Sequence, residues 1–141
     1  MVKVFEDKMM DIIKHSVEIC FDNVKDVQNL EKVFVMLWKE KSVSSTMYSY
    51  QISQKWVKKH TVSEYATQMM SITLDELQLD LDKLEKLFSE NERAFPTVFK
   101  LIYYPQSSKF NMNLEYEMIT ERTGEVITSY FDSWVQENIG E

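Results

Sequence analysis

With 141 residues, a formal net charge of −7 and only two glycines and two prolines, the chain is one domain's worth of sequence, and glycine-rich phosphate loops, long linkers and low-complexity tails are excluded. A chain of this length buries roughly 70% of its unfolded surface and needs neither metal nor disulfide to fold. Its single cysteine, Cys20, excludes an internal disulfide framework and fits a reducing compartment.

The charge is unevenly placed. Residues 113–141 carry seven acids and one base. Such an acidic end repels nucleic acid phosphates, and it suits either a basic protein partner or plain solubility. No apolar run approaches about 18 residues, and acids interrupt the start of the chain, so the expectation is a soluble, cytoplasmic protein that does not span a membrane.

Residues 3–21 set Phe5, Met9, Ile12, Ile13, Ser16, Val17, Cys20 and Phe21 at three- and four-residue steps, the spacing of an amphipathic helix covering one face of a sheet. His15 and Cys20 are five apart and do not share a helical face, which argues against a metal site there. Lys32–Trp38 is short and rich in β-formers, hence a strand. Lys39–Ser42 turns it into a second strand, Ser44–Ile52, whose alternation puts Thr46, Tyr48, Tyr50 and Ile52 on one face.

A turn at Ser53-Gln54 or Gln54-Lys55 leads to a third strand, Trp56–His60, although neither dipeptide is the Asn-Gly pair such a hairpin prefers. Tyr48, Tyr50 and Trp56 are either a binding face or core under a helix. Lys58-Lys59-His60 reads as a solvated strand end. Residues 61–72 show no clear pattern beyond a turn of helix near Glu64–Met70. Thr73-Leu74-Asp75-Glu76 has the form of a capping box. Leu74, Leu77, Leu81, Leu84, Leu87 and Phe88 then form one stripe of a helix ending near Asn91, with Asp75, Asp80, Asp82, Lys83, Lys86 and Glu90 on its solvent face.

Val98–Tyr104 is apolar at six of seven positions, as an inner strand would be. Pro105–Ser108 reverses the chain into a half-buried strand with Phe110, Met112, Leu114 and Tyr116 on one side and Lys109, Asn111, Asn113, Glu115 and Glu117 on the other. After a polar loop with Thr123 as a helix cap, residues 125–139 place Val126, Ile127, Tyr130, Phe131, Trp134, Val135 and Ile139 on one face of a closing helix, with Gly140 to end it. The order α-β-β-β-α-β-β-α predicts an α+β fold, an antiparallel sheet of about five strands (a meander plus a hairpin) packed against helices.

The sequence contains no nucleophile elbow, zinc-protease, CxxC, P-loop or dinucleotide motif, and with two histidines and one cysteine most catalytic constellations cannot be assembled. A binding module without catalytic activity, cofactor or metal is the expectation.

Several segments in their order resemble the YezG-like immunity proteins of bacterial toxin systems. Glu31–Thr61 looks like that family's first sheet. Phe95-Pro96-Thr97 with Phe99–Tyr103 resembles its "PT.-KLIYD" segment, Lys109-Phe110 with Leu114–Glu117 its "kl…ysYd" strand, and Tyr130–Trp134 its closing "iFdeW" helix. The likeness runs over about residues 30–135. It departs at Ser53-Gln54 and Tyr104-Pro105, where relatives often carry Asn-Gly and a glycine-containing turn.

The resemblance implies an antitoxin that binds and neutralises the nuclease domain of a cognate toxin. An acidic protein suits the basic groove of a nuclease. On chemistry, Glu115, Glu117, Glu121, Glu125 and Asp132 are the candidate electrostatic contacts, with Tyr116 and Trp134 as candidate anchors. The alternative reading is a general interaction or adaptor module with no toxin partner, which the same fold would serve.

Overall fold

The computed structural model describes residues 4–118 and 126–139. In chain order its elements are α1 (Phe5–Asp22), β1 (Leu30–Glu40), β2 (Val43–Ile52), β3 (Lys55–Lys58), α2 (Glu64–Gln68), α3 (Met70–Glu90), β4 (Val98–Tyr104), β5 (Lys109–Glu115) and α4 (Ile127–Glu137). This is the α+β order read from the sequence, with α2 and α3 in place of one helix. The five strands form one antiparallel sheet in the order β3-β2-β1-β4-β5.

β1 is central, and its apolar run is explained by burial on both faces. Val33, Val35 and Leu37 point into the larger core with Tyr48, Tyr50, Phe99 and Leu101, beneath α1 and α3. Phe34, Met36 and Trp38 point the other way, into a second core with Val98 and Ile102 that α4 covers. Tyr48 and Tyr50 are therefore core, while Trp56 packs on the opposite face of the sheet. Phe88 closes one end of the larger core with edge-to-face contacts to Phe5, Phe95 and Phe99 at 4.8, 5.2 and 6.0 Å between centroids.

Two local expectations need correction. The capping box does not start a helix: Ser63 caps α2, its hydroxyl accepting from the Ala66 N–H at 3.1 Å, and α3 begins at Met70. Thr73 lies inside α3, where its hydroxyl donates to the Met69 carbonyl (2.8 Å) and accepts from Asn23 Nδ2 (2.8 Å). A threonine is tolerated in a helix interior because its hydroxyl can bond back to the preceding turn, as Thr73 does to Met69. Asp80 is not on the solvent face of α3. It is 1% exposed between α1 and α3, accepting from the Ser16 hydroxyl at 2.8 Å and lying 2.7 Å from His15 Nδ1. Polar groups on the facing helix made that burial possible, and periodicity within α3 alone could not report them.

The reversal between β2 and β3 falls at Ser53-Gln54, with Ile52 opposite Lys55. Both turn residues have positive φ, 52° and 66°, the geometry that matches the twist of a two-residue hairpin but costs a side-chain-bearing residue about 1 kcal/mol. The start of β1 offsets this. Glu31 Oε1 accepts from the Gln54 N–H at 2.6 Å and from Gln51 Nε2 at 3.0 Å, and Ser53 N–H donates to the Asn29 carbonyl at 3.0 Å. Replacing the pair by Asn-Gly should stabilise the protein by about 1 kcal/mol, read as a higher urea midpoint with unchanged slope.

The larger core also holds three buried proton donors. The Tyr50 hydroxyl donates to the Cys20 carbonyl at 2.7 Å, whereas the Tyr48 hydroxyl has no hydrogen-bond partner among the described residues. Burial pushes both phenols well above their usual range, and it raises the Cys20 thiol, helped by the charges of Asp80 and Glu76. The unfolded chain loses these protons first as pH rises, so each group contributes stability that is complete below its ordinary pKa and lost above it. Lys59, whose pKa burial lowers, contributes with the opposite sign.

The urea midpoint is therefore expected to fall between about pH 9 and pH 11. Tyr50→Phe should flatten that decline and cost about 1 kcal/mol at neutral pH, while Tyr48→Phe should cost little or stabilise.

Candidate partner-binding surfaces

How α4 docks decides which acids of the C-terminal end face solvent. Its apolar side, Phe131, Trp134 and Val135, lies on Phe34, Met36 and Ile102. Two polar fastenings flank this contact. Glu115 Oε1 accepts from the Tyr130 hydroxyl at 2.6 Å and Oε2 accepts from Lys100 Nζ at 2.9 Å. Lys100 Nζ lies 3.3 Å from the Tyr130 oxygen and 5.4 Å from the ring centroid. At the other end, the buried Lys32 ammonium donates to the Asn138 carbonyl, where the helix dipole favours a cation.

The cluster around Glu115 is consistent electrically. Burial disfavours the Lys100 charge, but its hydrogen bonds and the opposite charge of Glu115 outweigh that and hold it above the usual lysine range. Tyr130 is pushed up by burial and then by its bond to Glu115.

The seven candidate residues consequently fall in different places. Glu115 is half-buried and ties α4 to β4. Trp134 is 8% exposed, edge-on to Phe34 at 5.6 Å, and is core. Asp132 lies on the opposite flank of α4, in a groove with Lys58, Lys59 and His60, so its charge is turned toward bases of its own chain. Glu121 and Glu125, with the Thr123 and Gly140 caps, lie outside the described residues.

Tyr116 and Glu117 are exposed, Tyr116 at 54%. Tyr116 lines a groove of about 440 Å³ with Phe5, Glu6, Met9, Arg93 and Leu114. Arg93 stacks on Phe5 at 4.0 Å and pairs with Glu6 at 3.3 Å.

At the opposite end of α1 lies a larger groove, about 560 Å³, that sequence reading missed. Asp22, Asp26 and Glu76 give it three carboxylates against one lysine, Lys25, and the exposed Tyr65 stands on it. Its parts come from three separate segments, and the one bearing Tyr65 carries too little periodicity to be placed in advance. The signal that could have found it is Ser63 followed by Glu64, a helix start preceding an unpatterned tyrosine.

His15, Ser16 and Asp80 are the three residue types of a nucleophilic triad, but their order in space is wrong for one. Such a relay needs the imidazole between carboxylate and hydroxyl. Here Asp80 Oδ2 takes both His15 and Ser16, and Ser16 is fully buried. The cluster joins α1 to α3. Among the described residues no group of three or more His, Cys, Asp and Glu side chains is placed to hold a metal ion, and no helix is long and apolar enough to cross a membrane. The sequence matches no protein-family model and no curated protein.

Removing the carboxylate of Glu115 strands a largely buried lysine and a phenol. Glu115→Ala is expected to cost about 1.5–3 kcal/mol, and Tyr130→Phe about 1 kcal/mol, in urea unfolding. Glu117→Ala, on an exposed side chain, should stay within about 0.5 kcal/mol of wild type.

Proposed function

We propose that this chain is an immunity protein, which binds the nuclease domain of a toxin from the same bacterium and neutralises it without catalysis. The ordered resemblance to YezG-like proteins supports this reading, and so does the acidic C-terminal end. The observation that carries it is the surface at the end of β5, where exposed Tyr116 and Glu117 adjoin the groove in which Glu6 pairs with Arg93. An exposed aromatic beside an exposed carboxylate is the combination that anchors an interface while steering a basic partner toward it. Masking the nuclease's substrate groove would then follow from charge, with association that slows as salt is added.

Within this reading the contact set is narrower than composition suggests. Glu115 is hydrogen-bonded between β4 and α4, Asp132 shares a groove with Lys58, Lys59 and His60, and Trp134 belongs to the core, whereas Tyr116 and Glu117 are exposed. Tyr116, Glu117 and the acids that follow them in sequence are the residues to engage the toxin. A second reading, an interaction module whose partner is no toxin, draws on the Tyr65 groove with its three carboxylates.

Co-expression with the toxin domains encoded beside the gene tests the proposal. Rescue of growth and co-purification are expected, and failure with every such domain would overturn it. With a partner in hand, Glu117→Lys with Glu121→Lys should lower the association rate about tenfold at low salt. Tyr116→Ala should chiefly speed dissociation. If instead Asp22→Lys with Asp26→Lys produces the larger effect, the Tyr65 groove is the contact surface.

A further inference from the structure

The two edges of the sheet are built differently. β3 is four residues long with a lysine at each end, Lys55 and Lys58, which is how natural sheets block an edge. β5 ends the sheet on the other side, seven residues long and paired with β4 at every position without a bulge. Among the described residues no strand pairs with its outer edge. It carries no proline, and its one lysine stands at the end rather than along the edge.

The sequence of β5, Lys-Phe-Asn-Met-Asn-Leu-Glu, is chemically self-complementary about Met112. If a second β5 is laid antiparallel along it, Lys109 meets Glu115 of the other copy, Phe110 meets Leu114, Asn111 meets Asn113, and Met112 meets itself. A twofold axis perpendicular to the sheet keeps each face on its own side, so only residues of the same row can be opposed. Among the registers that obey this, the one centred on Met112 opposes the whole strand and pairs both charges. The two rows also suit the pairing. Asn111 and Asn113 are exposed, and amides of facing asparagines can bond each other. Phe110, Met112 and Leu114 are half-buried against the larger core.

We propose that β5 is a homodimer interface, in which two copies join edge to edge into a continuous ten-stranded sheet about a twofold axis at Met112. Glu115 keeps Lys100 and Tyr130, and Lys109 of the second copy stands opposite it as an unlike charge. Phe110 of each copy covers Leu114 of the other, beside the groove where Leu114 meets Phe5 and Met9. The occupant is a second copy because the complementarity is internal to the strand: its basic end matches its own acidic end, and its row of two amides matches itself.

Sedimentation equilibrium on the full chain, over about a hundredfold range of concentration, tests this. Wild type should move from the 16.8 kDa monomer to twice that mass. Two double variants fix the register, both on exposed positions and both checked for folding by circular dichroism. Asn111→Glu with Asn113→Glu opposes like charges across the axis and should weaken the dimer at least about tenfold. Asn111→Lys with Asn113→Glu opposes unlike charges and should leave it as tight as wild type or tighter.

A wild type that stays monomeric throughout overturns the proposal. So does a dimer that both variants affect equally, since that interface would lie elsewhere or in another register. The result stands or falls apart from toxin binding, which plays no part in the measurement.

Discussion

Everything in this structure depends on β1 being covered from both sides. A strand with α1 and α3 over one face and α4 over the other has no solvent face for its polar residues. Each one must find a partner inside the protein, because an unpaired buried charge or donor costs more than a pairing returns. Lys32 reaches the carbonyl end of α4 and Glu40 accepts from the Trp38 indole at 2.9 Å. The same demand reaches the neighbouring layers, where Asp80 is met by Ser16 and His15 and Lys100 by Glu115.

This requirement reshapes the functional surface. A net charge of −7 counts every acid alike, but the fold divides them into acids that hold layers together and acids that face solvent. Glu115 and Asp80 are of the first kind, and Glu117 stands exposed on the surface. The electrostatic field felt by an approaching protein comes mainly from exposed carboxylates, since those paired with a lysine are largely neutralised locally. Among the described residues two grooves, one at each end of α1, bring an exposed tyrosine together with carboxylates, one around Tyr116 and one around Tyr65, Asp22 and Asp26.

The strand alternations were legible in the sequence because a period of two survives whatever packs above it. The β4–β5 hairpin, the core position of Val98–Tyr104 and the covering stripes of α1, α3 and α4 all follow from apolar spacing. The turn at Ser53-Gln54 was less legible, since its left-handed residues are held by Glu31 of β1 and by Asn29 in the turn before it. Thr73 and Asp80 misled because each looks exposed, or terminal, when its own helix is considered alone. Their partners, Asn23 and Ser16, are 50 and 64 residues away in the chain.

The sequence by itself determined the element order, the antiparallel sheet and the apolar faces, because those rest on local periodicity and on short connections. Only the tertiary structure decided which polar residues are buried, which face of the sheet α4 covers, and hence that Glu115, Asp132 and Trp134 are turned to their own chain while Tyr116 and Glu117 face outward. The physical reason is that burial of a charge depends on a partner supplied by another element, and no periodicity within one element carries that information.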